Sequence, residues 1–399
     1  MSLSSGRHYL AIPGPSVVPD RVLRTMHRPA PNIYTGELVD MVAGILPDLK
    51  AVARTKHHVA IYIANGHGIW EASLANCFSR GDEVLVLATG TFGRGWADMA
   101  KSMHLKPEVM DFGDQSPIDP QRVEERLRAD TENRIKAVLA VQVDTATSIR
   151  SDIAVLREAM DASGHEALLM VDCIACLGCD RFEMDAWGVD VVLAGCQKGL
   201  MTPPGVGFVF FNDKADAVRE TADLATAYWD WRPRVWPGVF YEHFCGTAPT
   251  HHLYGLRVAL DMILKEEGLE AVWKRHETLA RAIWAAFEAW GTGGPLALNV
   301  SDPDHRSRAV TSANLPAPLG TDLRNWMTDT AGVTLGIGLG MAAPDDPAWH
   351  GYFRVGHMGH VNAHMVLGVL ASIDAGLKAL NIPHGEGALE AATKVVASA

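Results

Sequence analysis

Residues 171–209 read VDCIACLGCDRFEMDAWGVDVVLAGCQKGLMTPPGVGFV, and this stretch decides the fold. It closes one apolar run, EALLMVD (166–172). It then contains a second, VDVVLAG (189–195), and opens a third, VGFVFF (206–211). Each run is apolar at consecutive positions rather than alternating, as expected of strands buried on both faces of a sheet. The first run ends in Asp172, and the second is followed by Lys198 inside CQKGLMTPPG. A carboxylate at the C-terminal end of a buried parallel strand lies where α/β sheets place their ligands. A lysine just beyond the next such strand, followed by a Gly/Pro turn, is unusual because lysine is rarely buried unpaired. Either residue alone reads as a cap or a solvated loop group. Together they point to chemistry.

Outward from this block the same pattern repeats. HHVAIYIANG (57–66), DEVLVLATG (82–90) and IKAVLAVQVD (135–144) are further buried strands. Helical spacing fills 69–79, 93–103, 119–129 and 151–163, the last opening on a Ser-Asp cap. Alternating strands and helices predict a mostly parallel sheet flanked by helices. After an irregular aromatic stretch at 224–246, helices are expected at 248–266 and 269–290. Val272, Leu279, Ile283, Phe287 and Trp290 form a stripe along the second. Strands at 307–315, 333–338 and 352–356 with helices at 321–330 and 361–380 then make a smaller α+β domain. The expected division is an N-terminal arm at 1–20, a large domain at 21–268 and a small domain at 269–399.

The 399 residues are 48% hydrophobic with a net charge of -12, which gives no basic patch for nucleic acid or an anionic membrane. No apolar run is long enough to span a bilayer. The first residues, MSLSSGRHYL, lack the apolar core of a signal peptide, and VVASA at the other end is not a peroxisomal address. The expectation is a cytoplasmic protein with reduced cysteines. Cys173, Cys176 and Cys179 invite a cluster reading, but a fourth ligand and a wrapping loop are missing. Their position at a strand end suits small buried packing residues, with no metal. A cysteine-ligated metal or redox protein is the alternative from a different class.

The sequence resembles the class V aminotransferases, fold type I pyridoxal-phosphate enzymes, and most closely the alanine–glyoxylate and serine–glyoxylate members. The likeness runs from IPGPSVVP (12–19) to FRVGHMG (353–359) and is most specific in 171–209. It implies pyridoxal 5′-phosphate as cofactor and a ping-pong transfer from a small amino acid such as alanine or serine to glyoxylate or pyruvate. It also implies a homodimer with a shared active site. Lys198 would anchor the cofactor aldehyde and shuttle the proton at Cα. Asp172 would hold the pyridine nitrogen protonated. Ile174 and Phe92 would sandwich the ring, Phe92 standing where many relatives carry Trp or Tyr. Gly66, His67 and Gly68, after a strand and before a helix, would cradle the phosphate on a helix N-terminus. Gln197 would add a phosphate contact, as would Thr247 from the partner subunit. Phe244 occupies a position that is often Tyr. Thr145 would touch the ring oxygen, and Arg354 would grip the substrate carboxylate. His357 and Met358 would shape the pocket, with Trp70, Tyr34 and Tyr241 as weaker candidates for the donor side chain. The nearest rival is a pyridoxamine–pyruvate aminotransferase, which an acidic phosphate-facing wall would favour. A cysteine desulfurase is disfavoured because no His directly precedes Lys198.

Overall fold

The computed structural model describes residues 2–399. After a short strand β1 (Tyr9–Ala11), the chain builds β2 (His58–Tyr62), β3 (Glu83–Ala88), β4 (Lys106–Asp111), β5 (Ile135–Val141), β6 (Leu168–Asp172), β7 (Val191–Gly195) and β8 (Gly207–Phe211). Strands β2 to β8 form one sheet of order β2-β8-β7-β6-β5-β3-β4. The apolar runs are continuous because both faces of this sheet are covered. Leu85, Val138, Leu169, Val192 and Phe208 point into one core. Their immediate neighbours Val84, Ala137, Leu168, Val191 and Val209 point into the other. That alternation is the two-residue period of a strand.

The helices anticipated between the strands are Gly66–Cys77, Thr91–Ser102, Pro120–Ala129 and Ile153–Ser163. From β4 through β7 the pairing is parallel, whereas β8 runs antiparallel to β7 and to β2. The link from β7 to β8 covers only 196–206, too short for the helical crossover that a parallel neighbour requires. Strand β4, KPEVMD, escaped the sequence reading because it is an edge strand, mostly solvent-facing and charged.

The second sheet has the order β1-β11-β12-β10-β9, where β9 is Ala297–Leu298, β10 Val310–Asn314, β11 Val333–Ile337 and β12 Tyr352–Gly356. Strand β1 joins it parallel to β11, so the N-terminal segment is part of this sheet. The long helix Leu269–Gly291 links the two halves. Its Leu269 and Val272 pack on the large sheet's core, while Leu279, Ile283, Phe287 and Trp290 enter the core of the small one. The helix expected at 248–266 runs as Thr250–Asp261 and widens to a π turn over Met262–Glu267, stopping at Gly268 with φ +89°.

The loops after β6 and β7 lie against each other. A side chain on Gly199 would overlap the carbonyl of Leu177 and come within 2.9 Å of the Cys179 sulfur. Cys173, Cys176 and Cys179 are fully buried here, and Cys173 and Cys176 direct their thiols to Gln142 Oε1 at 3.5 and 3.0 Å. Their small size lets the two loops close. Gly199→Ala should therefore cost about 1–3 kcal/mol through overpacking. Urea unfolding of the two proteins measures it, and an unchanged midpoint would show that the loops part freely.

Candidate active site

The C-terminal ends of β3, β5, β6 and β7 open into a cleft of about 200 Å3. It is lined by Gly66, His67, Phe92, Thr145, Asp172, Ile174, Gln197 and Lys198, all anticipated, by Trp70, a weaker candidate, and also by Asn65, Val141, Val143 and Ala175.

One wall is the start of helix Gly66–Cys77. Asn65 caps it, its Oδ1 accepting from Gly68 N at 3.3 Å. The Gly68 amide is thus occupied by the cap, and Gly68 does not line the cleft. The amides of Gly66 and His67 remain at the open helix end, where an anion is favoured. A Cβ on Gly66 would sit 2.8 Å from Ile174 Cδ1, so a side chain there would displace the end of the isoleucine.

Asp172 is only 4% exposed. Its Oδ1 accepts from Ile174 N at 2.7 Å, and its Oδ2 from the Trp70 indole Nε1 at 2.7 Å. Burial raises its pKa to about 6, a rise these two bonds oppose. The charge of Asp144 adds to the rise, and Lys198 opposes it. Lys198 moves the other way. Burial and then repulsion by Arg354 lower its pKa to about 8, against the pull of Asp172. Its Nζ donates to the carbonyl of Pro13. Gly14, at φ +100°, leaves the space that the lysine occupies. Ser16 ties the same N-terminal segment down, its N–H donating to Gln197 O at 2.8 Å and its Oγ to Lys198 O at 2.7 Å. Gln197 Oε1 is buried with no partner among the described residues, an open acceptor in the cleft wall.

Arg354, on β12, does not itself line the cleft but sits behind Thr145, which does. It is 5% exposed and donates from Nε to Ile337 O and from Nη1 to Thr145 O, both at 2.7 Å. Among the described residues no carboxylate lies within ion-pairing distance of it. Burial lowers its pKa to about 10, so it stays charged. Behind it Asp144 is buried, and its carboxylate accepts from the N–H groups of Phe92 at 2.8 Å, Gly93 at 3.4 Å and Ala146 at 2.9 Å. Those bonds fix Phe92 at the start of helix Thr91–Ser102. Gly90 is required there, because its Cβ would collide with the Asp144 carboxylate. The sequence reading passed over Asp144, yet its signal matches that of Asp172: an acid just beyond a buried strand.

Other candidates lie elsewhere. Thr247 is exposed and outside its own chain's cleft. Tyr34 and Tyr241 are exposed surface residues. His357 and Met358, expected to shape the pocket, are core residues. His357 Nε2 meets Thr311 Oγ1 at 3.0 Å, and burial pushes its pKa down to about 3. Among the described residues no group of three His, Cys, Asp or Glu side chains is arranged to hold a metal ion.

The aminotransferase class-V family profile matches residues 67–352. The chain is 36% identical to serine–glyoxylate aminotransferase of Methylorubrum extorquens, over 93% of this chain and 91% of that protein. It is 34% identical to L-aspartate–glyoxylate aminotransferase of Paracoccus denitrificans, again over 93% and 91%. The crystal structure of pyridoxamine–pyruvate aminotransferase from Mesorhizobium loti superposes with a TM-score of 0.87 at 25% identity, covering all of both chains.

The depressed pKa of Lys198 has a direct consequence. In the cofactor-free protein its acylation by an amine-reactive reagent should rise as pH passes through about 8, where the neutral amine appears. Exposed lysines should need about two units more. Arg354→Met should move the Lys198 midpoint upward by removing the nearby positive charge. Peptide mapping across pH measures both, and a Lys198 profile like that of surface lysines would refute the depressed pKa.

Proposed function

The chain belongs to the class-V aminotransferase family, and from that premise we propose that it moves an amino group from a small amino acid to a small 2-oxo acid, glyoxylate foremost, with pyridoxal 5′-phosphate as cofactor. The observation that carries this reading is the pairing of a buried amine of lowered pKa with a buried carboxylate across one cleft, beneath an open helix N-terminus. The residues present fit the cofactor. Gly66 and His67 supply amides for a phosphate, and the side-chain amide of Gln197 lines the same cleft with an NH2 that can donate. Ile174 and Phe92 are the apolar faces for a ring, and Thr145 borders its edge.

Bound there, pyridoxal phosphate supplies a protonated pyridine ring that accepts the electron pair left when a bond to the substrate Cα breaks. The ionised carboxylate of Asp172 holds the proton on the ring nitrogen. Lys198 would anchor the group covalently, and its amine, when free and neutral, would hold and move the proton at the substrate Cα. Arg354 presents the remainder of its guanidinium to the substrate carboxylate and fixes the orientation of the bond that breaks. It suits this role because its other N–H groups are spent on the carbonyls of Ile337 and Thr145, so the side chain is rigid before substrate arrives.

The donor and acceptor classes are supported by relatives named serine–glyoxylate and L-aspartate–glyoxylate aminotransferase. The rival in which free pyridoxamine is the donor calls for an acidic phosphate-facing wall, and the carboxylate lining the cleft is Asp172 at the opposite, ring-nitrogen end. The working unit in this reading is a cytoplasmic homodimer. Ile63, Tyr228, Trp236, Val239 and Tyr241 are exposed apolar residues, and Tyr228 Oη donates to Ile63 O at 3.2 Å, just ahead of the phosphate-side helix. A second copy would cover that surface, and the exposed Thr247 is free to serve a neighbouring copy rather than its own cleft.

Borohydride reduction of the cofactor-loaded protein should leave the cofactor on the peptide carrying Lys198, and Lys198→Ala should abolish turnover. Cofactor recovered on another lysine overturns the assignment. Arg354→Lys should lower kcat/KM for amino acids by about 1–3 kcal/mol of transition-state stabilisation, since it keeps charge but loses the planar fork. With free pyridoxamine, which has no carboxylate, it should change little. Equal activity of both proteins toward amino acids would remove Arg354 from the site.

A further inference from the structure

We propose that Trp70 is a positioning residue for the reaction: its indole N–H fixes the orientation of the Asp172 carboxylate and holds its negative charge in a place that by itself favours the neutral acid. The inference rests on reading Asp172 as the partner of the cofactor's ring nitrogen.

The need for such a contact follows from what surrounds Asp172. Strand β6 buries it between β5 and β7, away from water. From the loop after β5 it faces Asp144, a second buried acid that disfavours its charge. From beyond β7 it faces Lys198, which favours that charge only while the amine is protonated. The next residue on its own strand end, Cys173, has a thiol that burial keeps neutral. From the helix Gly66–Cys77 come Trp70 and, against the indole, the ring of His67. During transfer the Lys198 amine must be neutral, so its help disappears when Asp172 must stay ionised. Two N–H donors remain, one on each oxygen: the Ile174 backbone on Oδ1 and Trp70 on Oδ2. Together they fix the carboxylate plane and leave lone pairs for the ring. The backbone donor is present whatever the side chains are. Trp70 is the part that sequence can change.

An indole nitrogen is a donor only, so it rewards the ionised carboxylate. Trp70 is also held still. It is 2% exposed and stacks on Trp96 with ring centroids 6.2 Å apart and planes at 15°. It meets Phe92 and His67 edge-on, with centroids 6.2 and 4.7 Å apart. A side chain on Gly95 would come within 3.3 Å of its six-membered ring, so the bare backbone of helix Thr91–Ser102 makes its seat. A tryptophan that served only as filler would need no such aim at a carboxylate.

The test replaces Trp70 with phenylalanine and, separately, with benzothienylalanine, which keeps the indole's shape but has sulfur in place of N–H. The first readout needs no cofactor: infrared titration of the protonated-carboxyl band of Asp172, identified by its loss in Asp172→Asn. Both variants should bind the proton roughly tenfold more tightly than the parent, moving the midpoint up by about one pH unit. The second readout is the acid limb of kcat/KM for transamination, which should move to higher pH by a similar amount. If the benzothienylalanine protein, with native near-ultraviolet dichroism, titrates like the parent, the proposal fails while the cofactor reading stands. If the midpoint moves but the acid limb does not, Trp70 sets only the proton affinity of the cofactor-free site and the proposed role in the reaction fails.

Discussion

Taking a carboxylate and an amine out of water at the ends of adjacent parallel strands is the constraint on which the rest of this structure depends. Strand β6 pairs with β7 so that Asp172 lies beside Leu193, and Lys198 follows β7 by one turn of loop. Neither charge is neutralised by a close ion pair. Each is left poised, Asp172 with a pKa near 6 and Lys198 near 8, because burial pushes the two toward neutrality from opposite sides. Between those values the carboxylate is ionised and the amine is still protonated. Repulsion by Arg354 adds to burial in bringing the amine to that value.

Much of the surrounding architecture exists to make that burial tolerable. The Asp172 oxygens are bonded to one backbone and one indole N–H, and the Lys198 amine rests on the carbonyl of Pro13. Gly14, Gly90 and Gly199 each leave room for a close approach: the lysine, the Asp144 carboxylate and the facing loop. The three cysteines belong to the same economy of space. They are small, buried and apolar enough to let the loops after β6 and β7 touch, and the thiols of Cys173 and Cys176 share one amide oxygen of Gln142. The small sheet contributes through β12 and through β1, whose continuation over residues 12–16 reaches back to the lysine.

Positive and negative groups alternate across the site in a way that no single pair explains. Asp144 lies near both Asp172 and Arg354, raising the proton affinity of the first and supporting the charge of the second. Its own charge rests on backbone N–H groups at the start of helix Thr91–Ser102, the same groups that set Phe92 over the cleft. A change at Asp144 would therefore reach the seat of Phe92, the proton affinity of Asp172 and the charge of Arg354 together.

The large sheet was legible in the sequence because strands buried on both faces leave continuous apolar runs, and those runs locate Asp172 and Lys198 without further help. The glycine-flanked helix start at 66–68 was legible for a similar reason: short-range chain geometry writes itself in glycine and capping residues. What the sequence could not contain is which side chain faces which across the fold. Trp70 read as a possible wall of the substrate pocket, and only the packing of helix Gly66–Cys77 against β7 and β8 aims its N–H at an acid about a hundred residues away. His357 and Met358 follow Arg354 closely in sequence, yet both are buried in core packing, His357 against Thr311 and Met358 in the core of the large sheet. Strand β4 and the antiparallel β8 were decided by edge position and by loop length against the sheet already formed. Local periodicity is a property of the chain, whereas opposition of distant groups, and the pKa values that follow from it, exists only once the layers have closed.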